Sequence, residues 1–304
     1  MIQKSSILKG YLFVIASAIL YGCMPLMAKH IYAEGVSAMG LVLLRNLLSL
    51  PFLALIGRVK HESFKVTPKS FASVVLIGVL GCALTPILLF ISYQHINTGT
   101  ATVFHFIYPA VVILLEVAFL RAKVSGGRIV AILLCVVGIA LFYDPSESPN
   151  LVGSLLALIS GVTYALYVLL LGRFDRKGLG AFSFGFYASL GSTVTLLIAG
   201  PIGGGLTLPT SARGWILCIL FSLAINVGAV ILFQSGAFII GGQKGAILSA
   251  FEPITSLIVG YLAFDERISP LVIVGSILVI AASVIIAVGD LLAKRREERA
   301  QAEE

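Results

Sequence analysis

Ten long apolar runs, separated by short polar connections, make up nearly all of this 304-residue chain. They cover roughly residues 8–29, 37–57, 70–93, 98–120, 127–143, 151–172, 181–200, 213–237, 245–264 and 270–291. Runs of about 17–25 apolar residues are the length a helix needs to cross a hydrocarbon core of roughly 30 Å. The pattern predicts an all-α, polytopic membrane protein of ten transmembrane helices. The longest connections, Gly57 to Lys69 and Gly200 to Arg213, each follow the second span of a half. A polar break with two prolines, Asp144-Pro145-Ser146-Glu147-Ser148-Pro149-Asn150, divides the chain. Residues 8–143 form one five-helix unit, 151–291 a second, and 292–304 a charged tail.

The two units read as copies. Gly10, Ser17, Tyr21 and Met24 align with Gly153, Ser160, Tyr164 and Tyr167 at an offset of 143. Tyr108-Pro109 aligns with Glu252-Pro253, Val124-Ser125 with Ile268-Ser269, and Gly138 with Ala282, at 144. Five spans per unit is an odd number, so the second copy enters the membrane upside down. Such inverted-topology repeats build many secondary transporters.

Charge fixes the expected orientation. With the N-terminus in the cytoplasm, Lys29, Arg213 and Arg267 alone fall outside, Arg45 lies within a span, and the remaining seventeen of 21 lysines and arginines face the cytoplasm. Positive residues stay inside, so both termini are expected there. The chain is 59% hydrophobic and 12% charged, with a net charge of +7 and a mean hydropathy of +1.05. A soluble domain of this size has no means of hiding so much apolar surface. The basic residues sit in loops and ends rather than on one face, so no nucleic-acid partner is expected. Cys23, Cys82, Cys135 and Cys218 lie in apolar runs without metal-ligand spacing and read as small hydrophobes. The first run is not a cleaved leader, because the chain repeats it near Gly153 to Leu171.

These residues resemble the drug/metabolite transporter superfamily in its ten-helix EamA-type form with two EamA repeats. The resemblance spans roughly residues 8–290. Its carriers are Arg45, the Ala101-to-Pro109 start of the fourth span, Phe251-Glu252-Pro253, and Phe264-Asp265-Glu266-Arg267-Ile268 with the Gly275-containing tenth span. The chain departs from the family at Leu120-Arg121-Ala122-Lys123, where an acidic residue is common. The resemblance implies a carrier that moves small metabolites, often outward, by alternating access.

An ionisable side chain at the centre of a span costs about 2.5–3.5 kcal/mol, so each needs a reason. Glu252 lies about 12 Å into its helix, counted from Lys244 at 1.5 Å per residue. It precedes Pro253 and shares a stripe with Ser249 and Ser256. It either binds a substrate ammonium or a proton, or pairs structurally with Arg45 or with freed backbone groups. Arg45 either pairs structurally or binds a substrate carboxylate. His105, Tyr108, Val112 and Glu116 fall on one helical face. His105 is either proton-coupling or a neutral histidine donating to a carbonyl. Glu116 either pairs at the interface with Arg121 or Arg128 or takes a role in transport. Tyr21, Tyr164, Tyr167, Tyr93, Asn226 and Gln234 are candidate pocket walls. The expected substrate site is Glu252, Arg45, His105, Tyr108, Tyr21, Tyr164, Tyr93 and Gln234, with His105 and Glu252 coupling protons.

No nucleophile–base set, metal-ligand spacing or nucleotide-binding loop occurs, so no enzyme, cofactor or metal is expected. The function expected is secondary transport of an amino acid or related amphipathic metabolite, outward across a bacterial inner membrane. A channel-like facilitator and an intramembrane enzyme are the alternatives. Membrane lipid and the small-molecule substrate are the partners; the sequence sets no oligomeric state.

Overall fold

The computed structural model describes residues 2–121, 126–141, 150–174, 178–202, 205–240, 248–266 and 268–303; among them, the side chains of 2–6, 120, 201–202, 234, 237–238, 287 and 290–303 are excepted. Helices account for all of its regular structure, apart from one isolated bridge between Ser63 and Leu179. Helices α1 (Ile2–Gly22) and α2 (Met24–Ala33) form the first span, jointed at Cys23 with Pro25 in the new first turn. Then come α3 (Ala38–Val59), α4 (Pro68–Gly78), α5 (Thr85–Ser92), α6 (Thr98–His105), α7 (Tyr108–Leu120) and α8 (Gly126–Ala140). The second unit holds α9 (Leu151–Arg173), α10 (Ala181–Ile202), α11 (Ala212–Phe221), α12 (Val230–Ile240), α13 (Phe251–Phe264) and α14 (Pro270–Glu303).

Local chemistry sets several starts. The Ser37, Thr67, Asn150 and Ser211 side chains accept from the backbone N–H groups of Gly40, Ser70, Gly153 and Gly214, satisfying amides that the first helical turn leaves unpaired. Seven stretches are long and apolar enough to cross a bilayer: Ile7–Ala33, Ala38–Val59, Pro68–Ser92, Thr98–Phe119, Leu151–Arg173, Ala181–Gly200 and Ala212–Phe233. Three shorter apolar helices, Gly126–Ala140, Phe251–Phe264 and Pro270–Ile286, occupy the remaining apolar runs. Burial is inverted relative to a soluble protein. Phe119 and Leu262 are 72% exposed, while Asn46, Ser49, Thr98 and Ser192 are sealed inside. Apolar side chains pointing outward along whole helices are at home in lipid and nowhere else.

Loop contacts show that the units run in opposite senses. Gly35 and Gly178 are repeat mates, each in a turn only glycine adopts easily, with φ of +81° and +90°. The Ser37 N–H donates to Thr207 O at one end of the bundle, whereas Ser63 bridges Leu179 at the other. Between Gly35 and Ser63 runs α3, 22 residues and about 33 Å long. Equivalent loops therefore lie at opposite ends. The offset recurs elsewhere. Arg121 and Asp265 both end a helix in the left-handed region, at φ +52° and +51°. Gly10 abuts Ile240 as Gly153 abuts Ile96, each so closely that a Cβ would collide. Both third spans contain a π-helical stretch, Val79–Leu84 and Ser222–Ala229. The sequence pattern did not foresee these stretches, because widening a helix to an i→i+5 turn leaves no mark on hydropathy.

Packing brings helices of the two units together. Helix α1 lies against α12 and α13, α9 against α5, α6 and α7, and α3 against α10. Helices α6 and α13 meet across the middle, and α8 pairs with α14 at the side.

Candidate functional site

The fourth span is broken. Helix α6 stops at His105, Phe106 and Ile107 turn, and α7 restarts at Tyr108 with Pro109 in its first turn. The second unit has a matching turn at Ser249-Ala250, one residue before the strict repeat mates Ala250-Phe251, after which α13 starts with Glu252 in its first turn. Proline at a helix start withholds an amide that had no partner anyway. A carboxylate in a first turn is favoured by the helix dipole. The joint corrects one sequence expectation. His105, Tyr108, Val112 and Glu116 do not share one continuous helical face, although the His105 and Tyr108 rings remain 5.9 Å apart.

Glu252 is half-buried, and its side chain has no hydrogen-bond or ion-pair partner among the described residues. Its charge reaches the hydroxyls of Tyr21, Tyr93, Tyr108 and Tyr164. Arg45 comes to the same tyrosines from α3, its charge felt at Tyr21, Tyr93 and Tyr164 and at the Cys82 thiol. Both charges thus lie within electrostatic range of Tyr21, Tyr93 and Tyr164, and among the described residues no ion pair joins them. The rings cluster around Tyr164, whose centre lies 4.7 Å from Tyr108, edge to face, 5.2 Å from His105 and 5.4 Å from Tyr167, both tilted. The hydroxyls of Tyr21, Tyr108 and Tyr164 have no hydrogen-bond partner among the described residues. None is sealed from solvent, since Asn46 Oδ1 is the buried side-chain acceptor left unpaired there. Open hydroxyls and an open carboxylate around one space are the lining of a cavity.

Arg45 is held by a partner the sequence left unassigned. Its Nε donates to Asn226 Oδ1 at 2.9 Å, and Asn226 Nδ2 donates back to the Arg45 carbonyl at 3.0 Å. Ser222 Oγ donates to the same carbonyl at 2.8 Å. Both partners stand on the π-helical stretch of the eighth span. The guanidinium lies 5.9 Å from the Phe90 ring centre. The expected structural partner, Glu252, is not the one found; a neutral amide positions the arginine and leaves its charge uncancelled. Asn46, next along α3, donates to Val42 O and to Cys82 O in the other π stretch. Only the 181-residue separation of Arg45 and Asn226 hid this clamp.

His105 is buried and its Nδ1 lies 2.9 Å from Ser160 Oγ. The Ser160 hydroxyl already donates to Ala157 O at 2.6 Å, so Nδ1 carries the proton and donates. The imidazole therefore bonds to a hydroxyl, not to the carbonyl expected, and Nε2 is left as the titrating atom. Tyr93 is buried with its hydroxyl 3.4 Å from Thr102 Oγ1. Ser256 does not extend the Glu252 stripe; it bonds Thr102 at 2.9 Å and ties α13 to α6. Glu116 pairs with Arg128 at 3.2 Å. The Gln234 side chain and Lys244 lie outside the described residues.

Comparisons with known proteins fit this architecture. A family model described as the EamA-like transporter family matches residues 8–143 and again residues 151–288. An uncharacterized transporter of Clostridium kluyveri is 23% identical over 295 residues, covering 91% of this chain and 92% of that protein. An uncharacterized inner membrane transporter of Salmonella typhimurium is 25% identical over 315 residues, covering 96% and 98%. One solved crystal structure superposes with a TM-score of 0.65 over 95% of this chain and 98% of that one, at 15% identity, a likeness of fold. Two family matches cover almost the whole chain, on a polytopic helical fold made of two inverted units: this multi-pass membrane protein belongs to the EamA-like transporter family.

Proposed function

We propose that the protein is a secondary transporter of ten spans, with both termini in the cytoplasm, in a bacterial inner membrane. It exports a small amphipathic zwitterion of the amino-acid type by alternating access. One observation supports the reading: Arg45 and Glu252 bear opposite charges, lie within electrostatic range of the same tyrosines and form no ion pair with each other among the described residues. A substrate carboxylate meets Arg45, its ammonium meets Glu252, and its apolar part lies on Tyr21, Tyr108 and Tyr164. Few polar groups among aromatic walls is the composition of a small-ligand site. His105 Nε2 and the Glu252 carboxylate are the proton-coupling groups. The Gly35 end is taken as the outside. Among the described residues it offers Lys29 and Arg213, against Lys4, Lys9, Arg58, Lys60, Lys65, Lys69, Arg121, Arg128, Arg173, Lys294, Arg295, Arg296 and Arg299 toward the Gly178 end. The family resemblance is what favours export.

Counterflow of radiolabelled amino acids in proteoliposomes tests this. Glu252→Gln is expected to remove most uptake, and His105→Ala to flatten its dependence on pH. If both variants keep the native rate and pH profile, the site assignment fails.

A further inference from the structure

An exact duplication would close both ends of the bundle in the same way; among the described residues the two ends differ. At the Gly35 end the carboxylate of Glu266, only 9% exposed, gathers three elements. Its Oε1 accepts from Lys29 Nζ of α2 at 3.0 Å and from the Thr98 N–H at 2.9 Å. The Thr98 hydroxyl donates at 3.0 Å, and the Gly99 N–H donates to Oε2 at 3.4 Å. The Lys29 ammonium also lies 3.9 Å over the Phe264 ring, the last residue of α13. One carboxylate thus caps α6, anchors α2 and holds the turn after α13. Behind it α6 and α13 are in tight contact: a Cβ on Gly99 would stand 2.5 Å from Leu257 Cδ2.

The repeat mates of Glu266 and Lys29 are Ala122 and Gly172, neither of which carries a charge. Among the described residues, nothing stands within 4 Å of where a Gly172 Cβ would be. On this side a cleft of about 190 Å³ runs between Tyr108, Val112, Glu116, Arg128, Val168 and Ser283. Tyr108 belongs to both this cleft and the central cavity.

We propose that Glu266 is the gate residue of the Gly35 end, and that its grip on Lys29 and the α6 amides holds the carrier closed there and open toward the Gly178 end. A buried carboxylate gives up partners only when water replaces them, so opening at Gly35 requires this cluster to part. The inference builds on alternating access as read above. Its test needs no substrate, so it stands or falls separately from the ligand proposed.

Cys82, half-buried and within charge reach of Arg45, serves as the reporter. Cys135 and Cys218 are buried, and Cys23 is replaced by alanine. A membrane-impermeant methanethiosulfonate is applied to right-side-out and to inverted vesicles. Before further mutation, Cys82 should react from the Gly178 face and resist from the Gly35 face. Glu266→Gln should raise reaction from the Gly35 face about tenfold, the response of a two-state equilibrium to one lost charge-assisted bond. Lys29→Gln, which keeps the α6 cap and so the fold, should raise it as well. Native-like resistance in both folded variants, or equal reaction from the two faces at the start, would overturn the gate.

Discussion

At the scale of single residues, the site is governed by which charges are cancelled and which are left open. Asn226 is the hinge of that distinction, because an amide positions Arg45 without neutralising it. Asn226→Ala removes two bonds from a group inside the membrane and should cost roughly 1–3 kcal/mol, read as a lower melting temperature in detergent. Asn226→Asp should do the opposite: the new carboxylate pairs with Arg45, stability holds, and transport is lost because no charge remains for the substrate. If the aspartate variant transports normally, Arg45 is not a substrate ligand. Glu252, Arg45 and His105 were legible as candidates because each is costly in lipid and so stands out in any apolar run. Their partners were not: Asn226 and Ser160 are ordinary polar residues whose meaning comes from neighbours 181 and 55 positions away.

Elements show the same division. The spans and the offset between units are written in hydropathy and in pairs such as Tyr108-Pro109 with Glu252-Pro253. The joint at Phe106-Ile107 and the two π-helical stretches are set by backbone hydrogen bonding, which apolar composition does not encode. The contact of α1 with α13 depends on Gly22, whose missing Cβ would fall 2.5 Å from Thr255 Cβ and 2.7 Å from the Glu252 carbonyl. Gly22→Val should therefore overpack this crossing at a cost of about 1–3 kcal/mol. It should also push the Glu252 turn out of place, so that thermal stability and counterflow fall together. A valine variant that melts and transports like the native protein would show that this crossing is looser than described.

For the whole molecule, inversion of the two units is the property from which the others follow. Cysteine labelling should find positions 2 and 303 on the same face of the membrane; opposite faces would break the ten-span reading. The offsets together with an odd number of spans per unit implied the inversion, and the turns at Gly35 and Gly178 give it spatial form. What no offset conveyed was what Glu266 holds, since that carboxylate acts on Thr98 from 168 residues away.

The uncancelled pair in the cavity has an electrical consequence. On the reading proposed above, Arg45 and an ionised Glu252 sum to zero, so an empty carrier turning over without a bound proton shifts no net charge through the field, and a zwitterionic passenger adds none. Each elementary charge driven through 100 mV is worth about 2.3 kcal/mol. Any current that accompanies turnover is therefore a direct tally of accompanying protons, and a cycle indifferent to voltage carries none.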